Sequence, residues 1–227
     1  GLLAGKIANE IRHNLRPLNW FETLVAICEH DDHQLNLDQK DYLSPLGIPL
    51  DFTEDSGTVN EVLKRMQRII RTSINKSSWV RLLISYHLDF LYSDLKVKSK
   101  KIDTFLENEK KERALILKNY EISNSKGMEI YQYLLFCDRL SLILCKDETP
   151  SEERSLEINK SIGGDTFMIK RVDNKLIISP WIFEENEFKI SIEERLLKQT
   201  SFKSSEEFGK VLLNTKPQNI SWGISKG

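Results

Sequence analysis

The chain has 227 residues, of which 40% are hydrophobic and 30% charged, which suits one domain of ordinary size or one domain with an appendage. Its 33 basic and 34 acidic side chains leave a formal net charge of −1, which argues against the broad basic field of a non-specific nucleic-acid binder. No apolar run approaches the roughly 20 residues of a membrane-spanning helix, and no secretory signal is visible, so no membrane association is expected.

In chain order, residues about 2–13 repeat apolar positions at helical spacing, and Pro17 ends that segment. Residues about 19–30 predict a second helix with Asn19 as its N-cap. Residues 31–57 carry Pro45, Gly47, Pro49 and Gly57 and read as a long ordered loop, a length usually associated with function or disorder. Helices are predicted at about 58–74, 77–93 (capped by Ser77 or Ser78), 101–120 and 124–145. The lysine-rich KVKSKK run at 96–101 reads as a solvated helix entrance. The periodicity then changes. Strands are predicted at Thr166 to Val172, Lys175 to Ser179, Phe188 to Ile192 and Ile220 to Ile224, with Asp173-Asn174 as a two-residue turn. Ser204-Ser205-Glu206-Glu207 opens a short helix to about Leu213. The expected architecture is mainly α: a helical domain over 1–150 and a small antiparallel β-containing (α+β) extension over 164–227.

Cys28, Cys137 and Cys145 form no CxxC pair, which predicts reduced thiols and a cytoplasmic protein. Apolar surroundings and the lack of a nearby base make Cys137 and Cys145 poor nucleophiles. The sequence opens on Gly1 and its first methionine is Met66, so part of the natural N-terminus is expected to be missing. Trp20, Met66, Trp79 and Phe90 read as core or rim packing.

Three predicted helices carry an ionisable residue on an apolar stripe. His30 follows Thr23, Ala26 and Ile27; His87 follows Val80, Leu83 and Ile84; Asp138 follows Tyr131, Leu134 and Leu135. A buried, uncompensated carboxylate costs several kcal/mol or more, so Asp138 requires a cation, a set of hydrogen bonds or a metal. Imidazoles with carboxylates suit zinc, iron or manganese better than oxygen-only ions. Two plainer readings stay open: core histidines held by backbone carbonyls, and Asp138 paired with a basic residue such as Arg81.

The order of these residues resembles the HD-domain superfamily of helical metal-dependent phosphohydrolases. His30-Asp31 resembles its His-Asp pair, His87 in SYHLDF its later histidine, and Asp138 in FCDRLSL its late aspartate. More closely, LLAGKIA, ICEHDD, GIPLDF, VRLLISYH, LLFCDRLSL and PWIF, in that order, resemble the bacterial family called domain of unknown function 3891. The superfamily resemblance implies an HD-like bundle, a divalent ion (Zn, Fe or Mn) held by His30, Asp31, His87 and Asp138, and Asp31 and His87 in catalytic roles. It implies hydrolysis of a small phosphorylated substrate, a phosphate ester or nucleotide. The first histidine of the HD pattern falls at or just before Gly1, and none stands in this sequence. His33 follows the pair as a loop residue or a replacement ligand, and Asp38 and Asp41 read as solvated. The alternative function is a non-catalytic, degenerate HD-like binding or scaffold module. The sequence leaves the oligomeric state open.

Overall fold

The computed structural model describes residues 1–32, 42–51, 57–93, 99–150, 154–160, 162–173 and 175–227. Among them are seven α-helices: α1 (Leu2–Asn9), α2 (Trp20–Glu29), α3 (Val59–Ile74), α4 (Ser78–Tyr92), α5 (Lys100–Asn119), α6 (Asn124–Cys145) and α7 (Ser205–Asn214). Five strands, β1 (Ser155–Lys160), β2 (Thr166–Val172), β3 (Lys175–Ser179), β4 (Glu187–Glu194) and β5 (Gln218–Lys226), form one sheet in the order β1-β2-β3-β5-β4. The fold is α+β. No described helix is long and apolar enough to cross a membrane.

Local chemistry accounts for most helix boundaries. Thr58 and Glu61 close a capping box at the start of α3, and the Ser77, Ser123 and Ser204 hydroxyls accept from Val80, Lys126 and Glu207 amides. Two starts and ends differ from expectation. Asn19 occupies the N-cap position of α2, but its backbone is left-handed (φ 54°) and its side chain makes no capping bond. The first helix stops at Asn9 instead of running to about residue 13. Tertiary pairing overrides the helical pattern there: Ile11 bridges Phe183 antiparallel, Arg12 N–H donates to Ile182 O (3.0 Å), and Glu184 N–H donates to Glu10 O (2.9 Å). His13–Leu15 then form a short 3₁₀ turn.

The sheet corrects the sequence reading twice. β1 precedes the expected β boundary at 164; its inward alternation, Leu156 and Ile158, is too brief to register, and an irregularity between Glu157 and Asn159 breaks the pattern. The sheet is also mixed and not purely antiparallel. After β4 the chain passes through α7 and returns between β3 and β4, so β5 runs antiparallel to β4 and parallel to β3. Strands β2 and β3 pair as the expected hairpin, with Val172 opposite Lys175 and Asp173 at φ 47°. The turn's second residue, Asn174, lies outside the described residues.

One continuous cluster of buried side chains runs from the helices into the sheet. Phe136 of α6 is its hinge point, with ring centroids 5.0 Å from Phe167 of β2 and 6.2 Å from Phe183. Trp181 and Phe188 extend the aromatic layer around Phe183 at 4.9 and 4.8 Å. The sheet braces one flank of α6. The polar residues singled out in the sequence lie elsewhere, where α2, α4 and α6 meet.

Candidate metal centre

Helical periodicity carries the site's residues inward. Thr23, Ala26 and Ile27 bury the inner face of α2, and His30, one turn beyond Ile27, caps the helix with its backbone still helical. The end of α2 leaves carbonyls without helical partners. His30 uses one of them: its Nδ1 lies 2.7 Å from Ile27 O. α4 is buried along Trp79, Val80, Leu82–Ile84 and Tyr86–Leu88, which takes His87 into the interior. On α6, Tyr131, Leu134 and Asp138 share the inward face at spacings of three and four residues.

The three groups stand together. His30 and His87 are each 1% exposed and Asp138 is 9% exposed. One possible ligand atom from each lies within 4.8 Å of the other two. His30 Nε2 is 3.0 Å from Asp138 Oδ1, and the two imidazoles meet edge to face with centroids 4.9 Å apart. His87 Nδ1 is 3.2 Å from the Tyr131 hydroxyl. Asp31 is placed differently. Its Oδ2 is 2.9 Å from His30 Nε2, but its side chain is 36% exposed and it stands outside the compact three-residue set.

A carbonyl oxygen can only accept, so His30 Nδ1 carries the proton that it donates to Ile27 O. In a neutral imidazole Nε2 then holds a lone pair, and that lone pair faces two carboxylates. This arrangement is repulsive unless something positive lies between them. A second proton is one solution. Burial alone would pull the His30 pKa down, but the hydrogen bonds to Asp138 and Asp31, with their charges, outweigh it and raise it to about 9. Burial likewise works against the Asp31 carboxylate, but the hydrogen bond to His30 and that group's charge prevail and hold it well below the usual range. The cluster therefore carries an imidazolium clamped by two carboxylates at neutral pH.

A metal ion is the other solution, and the donor set fits one. Two imidazoles and a carboxylate are a transition-metal set. Neighbouring ligands around a tetrahedral ion with bonds near 2.1 Å stand about 3.4 Å apart, so a cluster whose ligand atoms lie within 4.8 Å needs to contract by up to about 1.4 Å at its widest. His30 is already held at Nδ1 by a backbone carbonyl, the outer contact that metal-bound histidines commonly make. Among the described residues, His30, His87 and Asp138 form the one group of this composition.

Other sequence expectations resolve plainly. Arg81 does not compensate Asp138; it pairs with Glu109 at 3.0 Å and Glu112 at 3.1 Å. Burial pushes the Cys137 thiol well up, which removes it as a nucleophile. Met66 and Trp79 are buried in the core, whereas Phe90 is exposed and its ring stacks beside His87 at 6.4 Å. His33, Asp38, Asp41, the remainder of the 33–41 loop, residues 52–56 and the start of the lysine-rich run at 96–98 lie outside the described residues. Tyr131 was legible only as a core residue, although it precedes Asp138 by two helical turns on the same face. Burial raises its pKa far above the ordinary phenol, so it stays protonated.

A family model described as "Protein of unknown function (DUF3891)" matches residues 1–199. No curated protein and no solved structure matches the chain.

Proposed function

The chain belongs to the DUF3891 family, and we propose, from the geometry of the His30, His87 and Asp138 cluster, that it is a metal-dependent phosphohydrolase with an HD-like helical core, acting on a small phosphate ester or nucleotide. The observation that carries this reading is His30 Nε2 set 3.0 Å from Asp138 Oδ1 and 2.9 Å from Asp31 Oδ2, with the His87 ring alongside. His30, His87 and Asp138 would hold the ion, with Asp31 at its solvent side. A divalent ion such as zinc, iron or manganese would polarise a phosphoryl oxygen and lower the pKa of bound water toward about 7.

The chain's own residues divide the remaining work. His30, His87 and Asp138 are buried and Asp31 is the partly exposed member, so a substrate would approach from its side. Asp31 stays ionised through its contact with His30 and can accept a hydrogen bond from a nucleophilic water.

A second reading has its own observation. With His30 protonated, the cluster is a self-satisfied imidazolium–dicarboxylate core, which a non-catalytic binding or scaffold module would also contain. The two readings separate in one experiment. The purified protein, stripped with chelator, is titrated with zinc and manganese, then assayed for phosphate release from p-nitrophenyl phosphate and nucleoside monophosphates. The hydrolase reading expects stoichiometric metal binding and metal-dependent turnover, both lost in Asp138→Ala. Binding without turnover leaves a metallo-module, and neither leaves the ionic core.

A further inference from the structure

The two histidines of the centre are held in parallel ways. His30 is fixed at Nδ1 by a backbone carbonyl at 2.7 Å. His87 lies within α4, and its Nδ1 is 3.2 Å from the Tyr131 hydroxyl. Both side chains are buried, His87 at 1% and Tyr131 at 2% exposure. We infer that Tyr131 is a positioning residue for His87: its phenol oxygen accepts the Nδ1 proton and so presents Nε2 as the metal-binding nitrogen.

The inference rests on the metal reading above, and three observations support it. First, packing does not require the hydroxyl. The ring fills an apolar stripe between Ile130 and Leu134 that a phenylalanine would fill as well. Second, the phenol is itself held. The Tyr131 ring lies 5.7 Å from Tyr86, whose hydroxyl donates to Asn124 Oδ1 at 2.8 Å and whose face carries the Arg113 guanidinium at 5.0 Å. Third, one helix provides both parts. Tyr131 and Asp138 lie seven residues apart on α6, so the element that offers the carboxylate ligand also orients an imidazole ligand from α4. A neutral imidazole has one proton for two nitrogens, and the partner at one nitrogen selects which of them can bind a metal.

The test combines a tautomer measurement with a metal titration. Nitrogen NMR of histidine-labelled, metal-free wild type reads the tautomer directly, without any variant. The expected result is a neutral His87 protonated at Nδ1; a proton at Nε2 overturns the inference even if metal binds. Cobalt(II) and zinc titrations then compare wild type with Tyr131→Phe, with far-UV circular dichroism confirming the helices. Loss of an outer-shell partner typically costs 10- to 100-fold in metal affinity. We expect a loss of about that size and a shifted cobalt ligand-field band. In a His87→Gln background, Tyr131→Phe should change affinity by less than about twofold, because its effect runs through His87. Equal losses in both backgrounds, or an unchanged spectrum and affinity in Tyr131→Phe, would overturn the positioning role while leaving the metal site intact. Failure of the wild type to bind either ion would overturn the metal reading, and this inference with it.

Discussion

Replacing Asp138 with asparagine removes a charge from the centre at nearly constant volume. In the metal-free protein, His30 titrates at about 9 against 6.5 for the free side chain, a difference of about 3 kcal/mol in favour of the charged form when folded. Because the folded pKa is raised, this stabilisation is fully present below pH 6.5 and is lost as pH rises through about 9. The Asp138 hydrogen bond is the largest of the contributions that raise it. A hydrogen bond to a charged group contributes about 1.5–3 kcal/mol, so Asp138→Asn should lower the unfolding free energy by about that much at pH 6–7. The loss should fade above pH 9, where His30 is neutral in wild type too. Urea unfolding with chelator present, repeated from pH 6 to pH 9.5, reads the difference. A loss that stays constant across this range, or that grows toward high pH, would refute the imidazolium–carboxylate account.

Two further predictions concern the scaffold. Phe136→Ala removes the side chain that joins α6 to Phe167 and Phe183, and should cost about 3–5 kcal/mol. The loss should appear as one cooperative transition shifted to lower temperature in calorimetry; a sheet that melts separately from unshifted helices would contradict the shared core. Gly5→Ala should destabilise α1 by about 1–3 kcal/mol despite alanine's better helix propensity, because an added Cβ would clash with Cys28 Sγ. Trimming the obstacle in Gly5→Ala/Cys28→Ala should recover part of that loss in thermal melts, and a double variant no more stable than Gly5→Ala would contradict the close packing.

The helices were legible because their signals are local. The stripe Val80, Leu83, Ile84, His87 repeats at the helical period, and Ser77 stands where a cap is needed. The same periodicity carries His30 and Asp138 inward, so the three groups could be singled out before any coordinates. Convergence was not legible, since it depends on how α2, α4 and α6 cross. The role of Tyr131 was hidden for a related reason: on an apolar stripe a tyrosine reads as packing until the group opposite its hydroxyl is known. Ile11 departed from its helical pattern because a distant residue, Phe183, claims its backbone. The parallel pairing of β3 with β5 reflects the path through α7, which alternation within a strand does not encode. Gly5 illustrates a third case, a residue set by the approach of Cys28 from another helix.

The His30 Nε2 position, between Asp138 and Asp31, is proposed to take either a proton or a metal ion. Calorimetric titration of chelator-stripped wild type with zinc at pH 7.5, in buffers of different ionisation enthalpy, measures both events together. Since His30 is protonated at that pH and a ligating imidazole must be neutral, binding should release about one proton per ion, with a stoichiometry of one site per chain. Binding that releases no proton, or no binding up to millimolar zinc, would contradict the claim.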